Sequence, residues 1–333
     1  MKTKIVYILV SSNNDIYLEQ AYISMFSLKY YMPDAYIVLL TDQLTADSLV
    51  GLRKSEVEFV DELIVANLDP SLNAQKRSRL LKTSARNRLD GDFLYIDCDT
   101  VICQPLHEID SLEVSIAACR DTHSDFSHNP YRNMCVKHGR LLNWPIENEK
   151  DYFNSGVIYV KDVPETHEFY KRWFDNLNAG YKKNVKMDQP SFAKTNYEMG
   201  HIIQHLPDVW NCESMHGIRY LKDAKILHYL CTNSSKYQNK QLFLLNENDV
   251  LLEVKRTGKI DNSIIEVIKD PFKGIAETTH CFAGDDLLFF HTRFYYYPRM
   301  IYISKMNGSL FNYLLQIIKV FFRKCYVGLF RLS

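Results

Sequence analysis

The sequence has no excess charge of either sign, because 40 lysine and arginine residues balance 40 aspartate and glutamate residues over 333 positions. Nucleic-acid-binding domains usually carry a basic patch, and many combine it with zinc knuckles or aromatic-basic repeats. The sequence contains neither a zinc-knuckle pattern nor such a repeat. We therefore do not expect nucleic acid as a partner.

The cysteines also lack a pattern, since they form neither a C-x-x-C pair nor a compact framework. This scatter argues against a zinc module and against a secreted disulfide scaffold. We expect reduced thiols that pack as small apolar groups. The eight cysteines occupy positions 98, 103, 119, 135, 212, 231, 281 and 325.

Long apolar runs are absent near the amino terminus, where residues 5–10 give way to the polar residues 11–15. The run is too short for the core of a signal peptide, so we expect a cytoplasmic location. With 46% hydrophobic and 24% charged residues, the chain is typical of a globular protein with one large core or two modest ones.

The first hundred residues alternate between apolar runs and helical periodicity, which predicts an α/β fold. We predict helices at 17–30 and 71–89, and strands at 5–10, 36–40 and 93–96. Residues 120–150 are rich in polar side chains without clear periodicity, which predicts a long functional loop or insertion.

Asp97 and Asp99 directly follow the apolar run 93–96, at the sheet rim where open α/β folds bind ligands. Two acids at this spacing can share a hard divalent cation, and that cation can neutralise a diphosphate. The pattern predicts a sugar-nucleotide site. The alternative is chance, as illustrated by Asp90 and Asp92, which have the same spacing in what reads as a solvated turn.

Other polar residues lie at predicted strand and helix ends. Asn154 precedes a strongly apolar strand and could bond a sugar hydroxyl, while Gly156 beside it permits close approach. Asp188 is predicted to cap a helix, with Pro190 in the first turn. His228 ends a short strand, and an imidazole ligand favours manganese over magnesium, although a lone histidine is more often structural.

A basic face is predicted on the helix before Asp97, where Arg79, Lys82 and Arg86 are spaced by three and four residues. These cations could approach a phosphate. The alternative, which we favour for at least two of them, is a solvated basic face.

Five segments, taken in order, resemble glycosyltransferase family 8, which contains glycogenin and bacterial lipopolysaccharide galactosyl- and glucosyltransferases. The resemblance covers residues 1–235, and the ordered set is more specific than any single motif. The segments are 94–100, 152–157, 188–189, 206–211 and 225–229.

The resemblance implies a GT-A fold, in which helices flank a mixed, mostly parallel sheet, with a helical extension at the carboxyl end. We expect a catalytic domain at 1–235 and an extension with an acceptor region at 236–308. Residues 309–333 form a predicted amphipathic basic helix. We expect residues 310–330 to lie on anionic lipid, and docking onto the protein's own core or a partner chain is the alternative.

The resemblance also implies roles for individual residues. Manganese, with magnesium as the alternative, would be held by Asp97, Asp99 and His228. Gln189 would lie near the reacting face of the sugar, and Asp188 would contact that sugar. Donor binding would involve Ser11, Asn13, Asp15, Tyr17, Lys82, Asp97 and Asn154. The chain departs from the family after His228, where it lacks the usual Gly-x-x-Lys-Pro-Trp stretch, and Lys236 would substitute for the lysine of that stretch at a different offset.

The activity implied is transfer of a hexose from a UDP-sugar to a glycan or glycolipid acceptor, with retention, in the synthesis of lipopolysaccharide or capsule. Such an enzyme would act at the cytoplasmic face of the membrane. Two alternatives stay open: a nucleotide-sugar hydrolase, and a non-catalytic carbohydrate-binding protein that holds calcium.

Overall fold

The structure is a computed structural model that describes residues 1–230, 243–275 and 318. The chain divides into two compact units, Met1–Glu277 and Thr278–Ser333. Nearly all described residues belong to the first unit. Lys236 and the predicted helix at 310–330, apart from Ile318, lie outside the described residues, so the proposed domain boundaries stay a prediction.

The described residues contain ten strands and nine α-helices. The strands are β1 (Lys4–Leu9), β2 (Ile37–Asp42), β3 (Glu62–Ala66), β4 (Phe93–Ile96), β5 (Thr100–Ile102), β6 (Ile116–Arg120), β7 (Phe153–Val160), β8 (Ile203–His205), β9 (Cys212–Glu213) and β10 (Ile226–His228). The helices are α1 (Tyr17–Tyr31), α2 (Gln43–Ser48), α3 (Leu52–Ser55), α4 (Ala74–Thr83), α5 (Arg132–Leu141), α6 (Pro164–Lys182), α7 (Asp188–Glu198), α8 (Asn248–Thr257) and α9 (Asn262–Lys269).

Seven strands form the main sheet, in the order β3-β2-β1-β4-β7-β6-β8. Only β7 runs antiparallel to its neighbours, β4 and β6. The remaining pairs are parallel. The predicted mixed, mostly parallel sheet flanked by helices is therefore confirmed. A second, three-stranded sheet has the order β5-β10-β9.

Both faces of the main sheet are covered, which explains why its central strands read as continuous apolar runs. Because successive side chains of a strand point to opposite faces, β1 contributes to two cores. Ile5 and Tyr7 pack in the cluster that includes Leu18 and Met25 of α1. Val6 packs in the opposite cluster, which includes apolar residues of α4, α6 and α7.

Two predicted elements differ from the structure. The predicted helix at 71–89 is shorter, because α4 ends at Thr83 and a 3-10 turn follows at Ala85–Arg88. The prediction of a loop throughout 120–150 is wrong, since α5 lies within it. This helix buries only a few side chains, among them Cys135 and Val136. Too few apolar residues repeat at helical spacing for the pattern to be recognised in the sequence.

Residues 243–275 pack on the same compact unit. Apolar residues of α8 and α9 form one cluster with Ile23 of α1, Val101 of β5 and Leu227 of β10. The part of the extension that the structure describes therefore supports the second sheet. No helix among the described residues combines the length and the apolar character needed to cross a membrane.

We predict that Phe169→Ala lowers the free energy of unfolding by about 3–5 kcal/mol, because this fully buried ring would leave a cavity. Its neighbours Trp173 and Phe192 cannot collapse into that space without losing their own contacts. Urea denaturation measures the effect. The matched control is Phe272→Ala, since Phe272 is 47% exposed and should change stability by about 0.5 kcal/mol or less. Equal midpoints for both variants would contradict this packing.

Candidate functional site

The junction of the two sheets brings Asp97, Asp99 and His228 together. Asp97 and Asp99 lie between β4 of the main sheet and β5 of the second sheet. β10 pairs antiparallel with β5, so that His228 lies opposite Thr100. The Tyr229 amide donates to the Asp99 carbonyl at 3.1 Å, which extends this pairing to the acid.

The three side chains present a compact donor set. His228 Nε2 lies 3.2 Å from Asp99 Oδ1. One ligand atom from each of Asp97, Asp99 and His228 lies within 4.8 Å of the others. Burial lowers the pKa of His228, but the charge of Asp99 outweighs that effect and raises it. Two carboxylates and one imidazole at this spacing suit a divalent cation.

Gly156 of β7 makes room for this cluster. β7 pairs with β4, and the Asp97 amide donates to the Gly156 carbonyl at 2.8 Å. A Cβ at Gly156 would lie 2.5 Å from His228 Cε1 and 2.9 Å from Asp97 Oδ2. Any side chain larger than hydrogen would displace His228 or Asp97. The glycine therefore allows the close approach of these side chains that a metal site needs.

A cleft of about 700 Å³ opens beside the two acids. Lys82, in the last turn of α4, reaches into it, with Nζ 3.1 Å from Asp188 Oδ2 and 3.3 Å from Asp97 Oδ1. Burial lowers the pKa of Lys82, but Asp188 and Asp97 outweigh this effect and raise it. Lys82 is therefore a fixed cation. The cleft is lined by Ile8, Leu9, Val10, Tyr17, Gln20, Asn73, Ala74, Gln75, Ser78, Arg79, Lys82, Tyr95, Asp97, Cys98, Asp99 and Asp188.

The sequence model of the nucleotide-diphospho-sugar transferase family matches residues 75–252, more than half of the chain. The chain belongs to this family. The matched range contains the whole acid-histidine cluster and Lys82. A search of curated proteins found no match to this transferase.

Solved structures show the same fold. The galactosyltransferase LgtC, in complex with donor and acceptor sugar analogues, superposes on the transferase with a TM-score of 0.53 at 11% identity, over 79% of this chain and 99% of LgtC. The bifunctional glycosyltransferase WbbM, in its apo form, gives a TM-score of 0.53 at 15% identity over 81% of this chain. The alignment covers 52% of WbbM, so the transferase spans about half of that chain.

Together these findings confirm a nucleotide-diphospho-sugar transferase, the GT-A fold and the class of enzyme, a glycosyltransferase. The structural likeness extends to the fold alone at such low identity.

Asp188 does not cap α7 as predicted. Met187 holds the cap position, while Pro190 lies in the first turn as expected. The Asp188 carboxylate instead accepts hydrogen bonds from Ser155 Oγ at 2.9 Å and from Arg79 Nε at 3.3 Å, besides its pairing with Lys82. Burial would raise the pKa of Asp188, but the Lys82 and Arg79 charges hold it well below its usual range.

The prediction of a solvated basic face on the helix before Asp97 is wrong, and Arg86 lies beyond α4 in the 3-10 turn. Arg79 and Lys82 line the cleft and pair with Asp188. Arg86 is fully buried, and it donates to the Gly91 carbonyl at 2.8 Å and to Asp162 at 3.4 Å. Two of the three cations therefore belong to the site, and the third holds the turn that leads into β4.

The turn at residues 11–15 is organised by its own side chains. Asp15 accepts from Ser11 Oγ at 2.6 Å and from the Tyr17 amide at 3.2 Å, as in an Asx turn. Asn13 is exposed. The cleft lining includes Tyr17 but not Ser11, Asn13 or Asp15. The turn thus positions the start of α1, whose first residue, Tyr17, lines the cleft.

Gln189 is held by a residue that the sequence interpretation missed. Its Nε2 donates to Asp121 Oδ1 at 2.8 Å. Because a carboxylate can only accept, the amide orientation is fixed and Gln189 Oε1 turns away from Asp121. Asp121 directly follows β6, as Asp97 follows β4, so an acid at the end of a second strand was the available signal.

Glu213 of β9 is a second missed residue. It is 2% exposed, and its Oε1 accepts from the Thr122 amide at 3.1 Å and from Asn154 Nδ2 at 3.2 Å. Burial, with the charge of Asp121, raises the pKa of Glu213 to about 8. The carboxyl group of Glu213 is therefore largely protonated at neutral pH.

We predict that Glu213 lowers stability as the pH rises. An unfolded glutamate ionises near the ordinary pKa of 4.5, whereas the folded one keeps its proton to about pH 8. The folded state binds more protons between these values, so the free energy of unfolding falls through that window. Glu213→Gln keeps the acceptor but cannot ionise, and its stability should fall less steeply. Urea denaturation of the metal-free proteins across the window measures this, and identical slopes would contradict it.

Proposed function

We propose that the chain is a metal-dependent glycosyltransferase that moves a hexose from a UDP-sugar to a glycan or glycolipid acceptor, with retention. The observation that carries the proposal is the cluster of Asp97, Asp99 and His228 at the edge of a cleft that also holds a buried cation, Lys82. The acids and the imidazole would hold a metal ion, and this ion together with Lys82 would bind the phosphates of a nucleotide diphosphate.

Manganese, with magnesium as the alternative, would be held by Asp97, Asp99 and His228. When bound, the ion acts as a Lewis acid that stabilises charge on the departing diphosphate more strongly than in the ground state. The imidazole among hard carboxylates supports manganese over magnesium.

Lys82 and Arg79 supply charge from the protein itself. Both line the cleft, and both are already oriented by Asp188. Breaking the bond at the anomeric carbon leaves negative charge on the diphosphate, and fixed cations stabilise that charge without reorganising. We therefore assign Lys82 to the donor phosphates, with Asp97 also contacting the donor.

The contacts of Asp188 favour attack on the same face as the departing group over a covalent intermediate on this residue. Its carboxylate is already bonded to Lys82, Arg79 and Ser155, so attack by it on the anomeric carbon would have to break these contacts. We propose that Asp188 contacts the transferred sugar, and that Gln189 lies near its reacting face with Oε1 available.

The base of the donor would lie against Tyr17, since this residue lines the cleft that also contains the acids. Ser11, Asn13 and Asp15 would act by shaping the turn that precedes this ring. Lys236 would add a cation to the diphosphate when the donor is bound.

The acceptor and the cellular setting are further parts of the proposal. We propose synthesis of lipopolysaccharide or capsule at the cytoplasmic face of the membrane. Support comes from the basic amphipathic pattern of residues 310–330. A nucleotide-sugar hydrolase would share the donor site and differ only in using water as acceptor.

The test is manganese-dependent release of UDP from a panel of UDP-sugars. We expect Asp99→Asn to lower turnover by at least about 100-fold, because the variant loses a charged ligand while keeping the side-chain shape. The matched control is Asp90→Asn, which alters an exposed acid with the same two-residue spacing to its neighbour and should leave turnover unchanged.

Two results would count against the proposal. Turnover of Asp99→Asn near the wild-type value would refute the proposal that the two acids bind a catalytic metal ion. Free sugar formed at the same rate with and without acceptor would favour the hydrolase.

A further inference from the structure

Asn154 of β7 lies at the centre of a buried hydrogen-bond network. Its Oδ1 accepts from the Gly156 amide at 2.8 Å and from Asn211 Nδ2 at 3.0 Å. Its Nδ2 lies 3.2 Å from both Asp121 Oδ1 and Glu213 Oε1. The residue is 7% exposed, so its partners are protein groups on every side.

These contacts use the full hydrogen-bonding capacity of the Asn154 amide. A side-chain amide has two lone pairs on oxygen and two hydrogens on nitrogen, and all four are engaged here. A sugar hydroxyl could bind Asn154 only by displacing one of these buried bonds. The Asn154 side chain therefore fixes the positions of the protein groups that it bonds.

The network fixes the orientation of each member, starting from a donor that cannot be reversed. The backbone N–H of Gly156 can only donate, so the atom of Asn154 facing it is Oδ1. Asn211 must then present Nδ2 to that same oxygen. The remaining atom of Asn211, Oδ1, lies 3.0 Å from His228 Nδ1 and requires a proton there.

We propose that Asn154 and Asn211 are positioning residues that favour a proton on His228 Nδ1 and so orient the ring with Nε2 toward Asp97 and Asp99, as the nitrogen that a cation would bind. The inference rests on the proposed function in taking this cluster as the metal site. A ligating histidine is oriented by the bond its other nitrogen makes, so Asn211 decides which nitrogen is free to bind.

The first measurement is ¹⁵N NMR of metal-free wild-type protein labelled at histidine, recorded at alkaline pH where the imidazoles are neutral. His228→Asn identifies the signals of the ring by their loss. Asp99 Oδ1 lies 3.2 Å from Nε2 and competes for the ring proton when no cation is bound. We therefore expect the share of His228 with its proton on Nδ1 to be larger in the wild type than in Asn211→Leu. An equal share in the two proteins would overturn the proposal.

The second measurement is manganese binding, followed by electron paramagnetic resonance. Asn211→Leu removes the acceptor at Nδ1, and we expect its affinity to fall by about 10- to 100-fold, with a smaller share of His228 protonated on Nδ1. Asn211→Asp keeps an acceptor at Nδ1 but loses the bond to Asn154 Oδ1, so it should retain more of the affinity than Asn211→Leu does. Equal loss in both variants would contradict the role of the acceptor.

The matched control is Asn196→Leu. Asn196 is also buried, and its Oδ1 accepts from the Ile203 amide at 2.9 Å, away from the cluster. Loss of this bond should lower stability without changing manganese affinity or the His228 signals. A fall in affinity equal to that of Asn211→Leu would reduce the effect to general destabilisation and overturn the proposal.

The two proposals fail in different ways. A wild-type protein that binds no manganese would refute the proposed metal dependence, while the NMR spectra of the metal-free protein would still decide the orientation of His228. Manganese binding that is equal in wild type and Asn211→Leu, with the same tautomer in both, would refute the positioning role alone.

Discussion

The antiparallel pairing of β10 with β5 is the constraint on which the site depends. β5 begins at Thr100, directly after Asp99, so an antiparallel strand paired with it ends beside the acids. The register places His228 opposite Thr100, and the bond from the Tyr229 amide to the Asp99 carbonyl prevents the strand from slipping. A shift of one residue would turn the imidazole to the other face of this small sheet.

Charge around the cleft is balanced within the protein rather than by solvent. Lys82 lies between Asp97 and Asp188, and Arg79 completes the pairing of Asp188. The attraction between opposite charges offsets the cost of removing each charge from water. An isolated charge at this depth would lose its ionised form instead. The site is thus held in a charged state before any ligand arrives, as electrostatic preorganisation requires.

Several features could be predicted from local sequence. The strand before Asp97 is a continuous apolar run, and strands buried on both faces have that signature. The helix α5 could not be predicted, because its buried side chains are few and its polar residues dominate the pattern. The solvated basic face was the wrong choice because helical spacing reports which residues share a face but not what packs against it.

Sequence by itself determined the fold class and the acids at a strand end, since periodicity and runs of apolar residues are properties of contiguous positions. Only the tertiary structure decided the partners: Asp188 pairing with Lys82 instead of capping, Gln189 held by Asp121, and Asn154 saturated by its neighbours. The physical reason is that hydrogen bonds and ion pairs join atoms from segments far apart in the chain. Their identity depends on strand register and side-chain reach, which no local pattern encodes.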